Sequence, residues 1–253
     1  MTFFFEVLIG GLLSGVMYSL VALGFVLIYK ASGVFNFAQG AMVFFAALTF
    51  VGLQQDYNIN FWVALLLSLG VMILLGLLTE RLVLRPLVNQ PQISLFMATI
   101  GLAFVIEGIA QLLWGSQPHG LDIGIQDEPL GWISDATGMN VSKFDLAAAG
   151  IAAALVTTLA QFFSRIVWTV AGFVALVAGL LWGARNGVQF SLTFLALKAL
   201  PVLILGGFES IPGAVIGGLI IGASEKLAEV YIGPHVGGGI EGWFPYVLAL
   251  LFL

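Results

Sequence analysis

The chain carries an uncharged apolar stretch at residues 7–29, and it returns to such stretches up to residue 253. A hydrocarbon core about 30 Å thick is crossed by a helix of roughly 20 apolar residues. Stretches at 7–29, 34–53, 61–79, 93–114, 146–163, 166–184, 188–205, 211–232 and 243–253 reach or approach that length. They predict an all-α polytopic transmembrane helix bundle with 8–9 spans, the number depending on whether the weaker stretches cross fully. An outer-membrane barrel would alternate apolar and polar residues; here the apolar residues come in unbroken blocks. Composition agrees: 60% of residues are hydrophobic and 8% charged, where a soluble domain carries about 25% charged. A soluble fold of this length could not hide that much apolar surface.

The few charges set an orientation. Arg81 and Arg85 stand in the loop 80–92, which the positive-inside rule places in the cytoplasm. Alternation then puts Lys30 and Arg165 inside as well. The loops 54–60, 115–145 and 233–242 fall outside, and 115–145 holds Asp122, Asp127, Glu128, Asp135 and Asp145 against Lys143 alone. Residues 1–6 carry no cation before the first apolar block, so that block is expected to be a retained span rather than a cleaved leader.

Several chemistries are excluded. There is no cysteine, and His119 and His235 are the only histidines, so a Cys-ligated or His-rich metal site is excluded and no cofactor is implied. No basic run exists to hold nucleic acid. A phosphate-binding loop, a H-E-x-x-H pair and a G-x-S-x-G elbow are all missing. The chain is expected to be no enzyme; energy for uphill work must come from another subunit.

Two glycine-rich segments interrupt the apolar pattern. One runs from Gly33 through Asn36, Phe37, Gln39 and Gly40 to Ala41. The other runs through Gly206, Gly207, Phe208, Ser210, Pro212 and Gly213 to Gly218. Each lies shortly after a Lys-Ala pair, Lys30-Ala31 and Lys198-Ala199. Such paired breaks in a transporter point to its substrate site, because unwound backbone cannot face lipid. They can equally be ordinary interhelical turns. Glu107 and Lys198 are ionisable residues inside apolar stretches, where a charge costs on the order of 2.5–3.5 kcal/mol. They are expected to face each other or the pathway, unless Lys198 snorkels to an interface. Glycines four apart recur at Gly11/Gly15, Gly179/Gly183, Gly213/Gly217 and Gly218/Gly222, which predicts close helix packing.

One junction is anomalous. Residues 144–184 are apolar throughout except around Ser164-Arg165, and no Gly, Pro or Asn marks a turn there. A single helix of that length would be about twice the hydrocarbon thickness.

Three motifs occur in order: Asn36-Phe37-Ala38-Gln39-Gly40, then Glu80-Arg81 with Arg85-Pro86-Leu87, then Gly206-Gly207 with Ser210-Ile211-Pro212-Gly213-Ala214 and Gly217-Gly218. Together they resemble the inner-membrane permeases of branched-chain amino acid ABC importers, the LivH type, over essentially the whole chain. Gln39 stands where that family reads His, and Ala41 where it reads an acidic residue. The resemblance implies a single permease domain over residues 1–253. Its implied partners are a second homologous permease, two cytoplasmic ATPase subunits and a periplasmic substrate-binding protein, in the bacterial inner membrane. It also implies a cytoplasmic ATPase-coupling segment that is missing here near 164–166, and a short tail beyond residue 253. The implied mechanism is alternating access. The implied pathway residues are Asn36, Phe37, Gln39, Gly40, Lys198, Gly206, Gly207, Ser210, Pro212 and Gly213, with Phe35 and Phe208 on the apolar wall. Two alternatives stay open: a permease for urea, short amides or another small polar solute, and an ATP-independent channel or facilitator.

Overall fold

The structure is a computed structural model, and it describes residues 2–87, 89–125, 127–161 and 167–252. The anomalous junction at 164–166 lies outside the described residues. The described residues are almost wholly helical, and their only β pairing is two isolated bridges, His119 with Val188 and Pro129 with Ser142.

The chain divides into two compact units. The first takes residues 1–23, 124–161 and 198–253; the second takes 24–123 and 162–197. Helix α1 (Thr2–Ser32) contributes to both, its residues up to Leu23 to the first and those from Gly24 to the second.

The second unit is built around α2 (Gln39–Gln55), which is buried along nearly its whole length. Packed on it are α3 (Phe61–Leu78), α4 (Gln92–Trp114) and α7 (Val167–Asn186). Asn60 caps α3, its side chain accepting from the Trp62 N–H at 3.0 Å, which satisfies one of the free first-turn donors. At its far end α3 widens into a π turn over Thr79–Leu84 and tightens into a 3-10 turn over Arg85–Leu87. Pro86 cannot donate to a helical ladder, so regular α geometry stops there. The outward faces of α3 and α4 carry Trp62, Leu66, Leu74, Phe104 and Leu112, all exposed. Such a surface is costly in water and costs nothing against hydrocarbon.

The first unit holds α5 (Gly131–Thr137), α6 (Lys143–Gln161), most of α8 (Leu195–Gly206), α9 (Ile211–Tyr231), α10 (Gly233–Val236) and α11 (Phe244–Leu251). Here α1 and α9 meet backbone to backbone. A side chain at Gly11 would fall on the Gly222 carbonyl at 2.7 Å, and one at Gly15 on the Gly218 carbonyl at 2.5 Å. The four-residue glycine spacings therefore serve packing within the chain, as in other close helix pairs.

Among the described residues, four helices are long and apolar enough to cross a membrane: Thr2–Lys30, Phe61–Leu87, Gln92–Trp114 and Ile211–Tyr231. Val170–Asn186 and Phe190–Gly206 are apolar but shorter. Two expected stretches change shape. The stretch at 34–53 becomes helical only from Gln39, and the stretch at 188–205 is a 3-10 turn over Phe190–Phe194 followed by α8, which contains Pro201.

Candidate functional site

The expected pathway residues fall into two groups, one in each unit.

In the second unit, α1 ends on Gly33, whose positive φ of 65° suits glycine and whose N–H donates to the Tyr29 carbonyl at 2.7 Å. The chain then runs without regular structure through Val34 and Phe35 to Asn36. The Asn36 side-chain oxygen accepts from the Ala38 N–H at 3.1 Å, and its backbone carbonyl accepts from the Gln39 N–H at 3.1 Å. This turn delays α2 by several residues, because a local side-chain bond competes with the helical ladder. The Asn36 amide itself donates to the Met42 sulfur at 3.5 Å, and Asn36 is fully buried.

Gln39 opens α2 and is 0% exposed, yet neither its amide oxygen nor its amide nitrogen has a partner. Its side chain lies against Gly24 of α1 so closely that a Cβ there would collide with it. Gly40 is equally confined, since a Cβ would strike the Thr193 carbonyl. Phe35 stacks on Phe25 at 4.8 Å, and Phe37 meets Phe96 edge-on at 4.7 Å. Beside this break lies a cavity of about 400 Å³, lined among others by Tyr29, Phe35, Gln92 and Phe96. That volume lies within the range of small-molecule pockets.

In the first unit, α8 and α9 form a hairpin closed by glycine. A Cβ on Gly213 would overlap the Gly206 carbonyl, and one on Gly217 would sit 2.5 Å from the Val202 carbonyl. Gly207 turns the chain with φ of 87°, a conformation that costs other residues roughly 1–2 kcal/mol. Ser210 caps α9, its Oγ accepting from the Gly213 N–H at 3.0 Å. Pro212 sits in the first turn, where its missing N–H is harmless. Phe208 is exposed at the hairpin tip.

Lys198, on α8, is drawn into an ion pair. Its ammonium lies 3.3 Å from Oε1 of Glu225 on α9 and 3.4 Å from the hydroxyl oxygen of Tyr18 on α1. Tyr18 donates to the same Oε1 at 3.0 Å. Glu225 is 3% exposed, and its other oxygen, Oε2, is buried without a partner. The partner of Lys198 is thus Glu225, and Glu107 makes no ion pair among the described residues; Glu107 is half-buried on α4. Sequence pattern did not single out Glu225, because it lies near Lys226 and Glu229 and reads as part of a polar helix end. The missed signal is its phase: Gly218, Ile221, Gly222, Glu225 and Ala228 all lie on the buried stripe of α9.

Among the described residues no group of three or more His, Cys, Asp and Glu side chains could hold a metal.

Comparison with known proteins agrees with the motifs. The family described as "Branched-chain amino acid transport system / permease component" matches residues 7–162. The high-affinity branched-chain amino acid transport system permease protein LivH of Salmonella typhimurium is 26% identical over 273 residues, covering 91% of this chain and 87% of the relative. LivH of Escherichia coli is 25% identical over the same length and coverage. The permease protein BraD of Pseudomonas aeruginosa is 24% identical over 268 residues, covering 90% of this chain and 87% of the relative. No solved structure matches the chain. Its apolar helices and its relatives together make it a multi-pass membrane protein. The chain belongs to the family of permease components of branched-chain amino acid transport systems.

Proposed function

We propose that this chain is the membrane-spanning subunit of an ATP-binding-cassette importer in the bacterial inner membrane, moving branched-chain amino acids by alternating access. The observation that carries the reading is the family match over residues 7–162, joined to relatives named as branched-chain amino acid permeases. Its partners are a second homologous permease, two cytoplasmic ATPase subunits and a periplasmic binding protein. In this reading the shorter helices α2, α6, α7, α8 and α11 join the four long ones to make 8–9 spans.

The pathway residues divide the work. The uncapped start of α2, with the unsatisfied Gln39 amide, offers donors and an acceptor along the translocation path. Asn36 fixes that turn, and Gly40 allows its close packing. Phe35 supplies apolar wall to the cavity, and Phe37, 4.6 Å from it ring to ring, backs that wall. The glycine hairpin of Gly206, Gly207, Ser210, Pro212 and Gly213 is the second broken segment, with Phe208 at its tip.

The reading includes the loss of the ATPase-coupling segment near 164–166. Two observations support this. The family match stops at residue 162. The aligned length of 273 residues exceeds the 253 residues of the chain, so the relatives carry residues with no counterpart here.

The test is reconstitution of the chain with its partner subunits and binding protein in proteoliposomes. ATP-driven leucine accumulation is expected once a relative's coupling segment is inserted at 164–166. Accumulation of urea in place of leucine overturns the substrate; leucine flux through the chain alone, without nucleotide, favours a facilitator.

A further inference from the structure

We propose that Tyr18, Lys198 and Glu225 form the site that receives the charged head of an α-amino acid, with Lys198 taking the carboxylate and Glu225 the ammonium. The inference rests on the permease reading and adds to it the substrate group and two residues, Tyr18 and Glu225.

The pair matches a zwitterion in charge. An amino acid enters the membrane as a zwitterion, and either charge alone is costly to desolvate. A lone lysine or lone glutamate would satisfy one end and leave the other bare. The Lys198–Glu225 pair is neutral when empty and stays neutral when the zwitterion exchanges partners with it.

Glu225 also has unused acceptor capacity. Both Tyr18 and Lys198 bond to Oε1 of Glu225, while Oε2 is buried and unpartnered. A carboxylate has about four acceptor positions, and a buried acceptor left empty is expensive. An ammonium, with three donors, fills it.

Lys198 is loosely held. The Lys198 bonds of 3.3 and 3.4 Å are longer than the roughly 2.7–2.9 Å of a tight charge-assisted bond. The lysine side chain is 31% exposed, so it is the accessible arm of the pair. Its ammonium also lies 5.8 Å from the Tyr18 ring centre, close enough for the ring face to hold the cation when Glu225 turns to a substrate.

A merely structural ion pair makes a different prediction. Tyr18→Phe with Lys198→Met and Glu225→Met keeps the volume and removes every polar head. Replacing a buried ion pair with apolar residues usually leaves stability unchanged or raises it. If the pair only holds helices together, this triple variant should work as well as the native chain.

The experiment is binding of radiolabelled L-leucine to the purified chain in lipid nanodiscs. Saturable binding is expected. 3-Methylbutylamine and 4-methylpentanoate each lack one charge, and each should compete at least about tenfold less well than leucine. The triple variant should keep its melting temperature and elution volume and lose at least about tenfold in affinity. Absence of saturable binding, equal competition by either analogue, or unchanged affinity in the triple variant overturns the proposal. If the triple variant does not fold, the analogue competition on the native chain decides. Failure here leaves the permease reading standing, because that reading is judged by ATP-driven uptake in the assembled importer.

Discussion

Gln39 carries a cost that packing alone does not explain. Its amide is buried with no partner at either end, a penalty of roughly 1–3 kcal/mol for such a group. Gln39→Met keeps the length of the side chain and removes the penalty. The expected outcome is a gain of about 1–3 kcal/mol in unfolding free energy, with leucine flux reduced; flux at the native level would remove Gln39 from the pathway. Ser210 and Gly207 give the opposite sign. Ser210→Ala loses the cap on α9 and should cost about 1 kcal/mol, and Gly207→Ala about 1–2 kcal/mol through its positive φ, both read by chemical denaturation. At this scale the sequence was a fair guide to where the chain breaks, since Gly33, Asn36, Gly207 and Pro212 are turn formers. It was no guide to the orphaned Gln39 amide, because satisfaction depends on what a distant helix brings near.

At the scale of the element, glycine sets how near helices come. Gly218 has the Gly15 carbonyl at 2.6 Å from where its Cβ would be, whereas Gly10, on α1, has nothing within 4 Å. Gly218→Leu should push α1 from α9 and part Tyr18 from Glu225. Gly10→Leu should be silent. Size-exclusion profile and melting temperature separate the two, and equal behaviour would contradict the packing described. The glycine spacing made this contact legible without naming the partner. Helix lengths were less legible. The stretch at 34–53 shortened because Asn36 spends its oxygen on a turn, and the stretch at 188–205 broke at a 3-10 turn. Apolar composition could not report either event. Glu225 was hidden for a related reason: its phase on α9 marks it as buried, while its neighbours Lys226 and Glu229 suggest a wet helix end.

For the molecule as a whole, orientation is testable because the chain has no cysteine of its own. Gln90→Cys and Asp122→Cys place single thiols in the loops on either side of α4. A membrane-impermeant maleimide added outside should label residue 122 and spare residue 90; the reverse pattern would invert the topology. The order of synthesis adds a constraint on how these helices enter the bilayer. Tyr18 precedes its acceptor by 207 residues, which is about 10–40 s at a synthesis rate of roughly 5–20 residues per second. Through that interval α1 waits in lipid with its glycine face uncovered. Lys198 waits only 27 residues for Glu225, about 1–5 s at the same rate. A helix with a lone lysine is poorly held in hydrocarbon, so α8 is not seated until α9 arrives to neutralise it. The insertion machinery therefore receives α8 and α9 as one hairpin, and α9, made long after α1, is the helix that locks α1 in place.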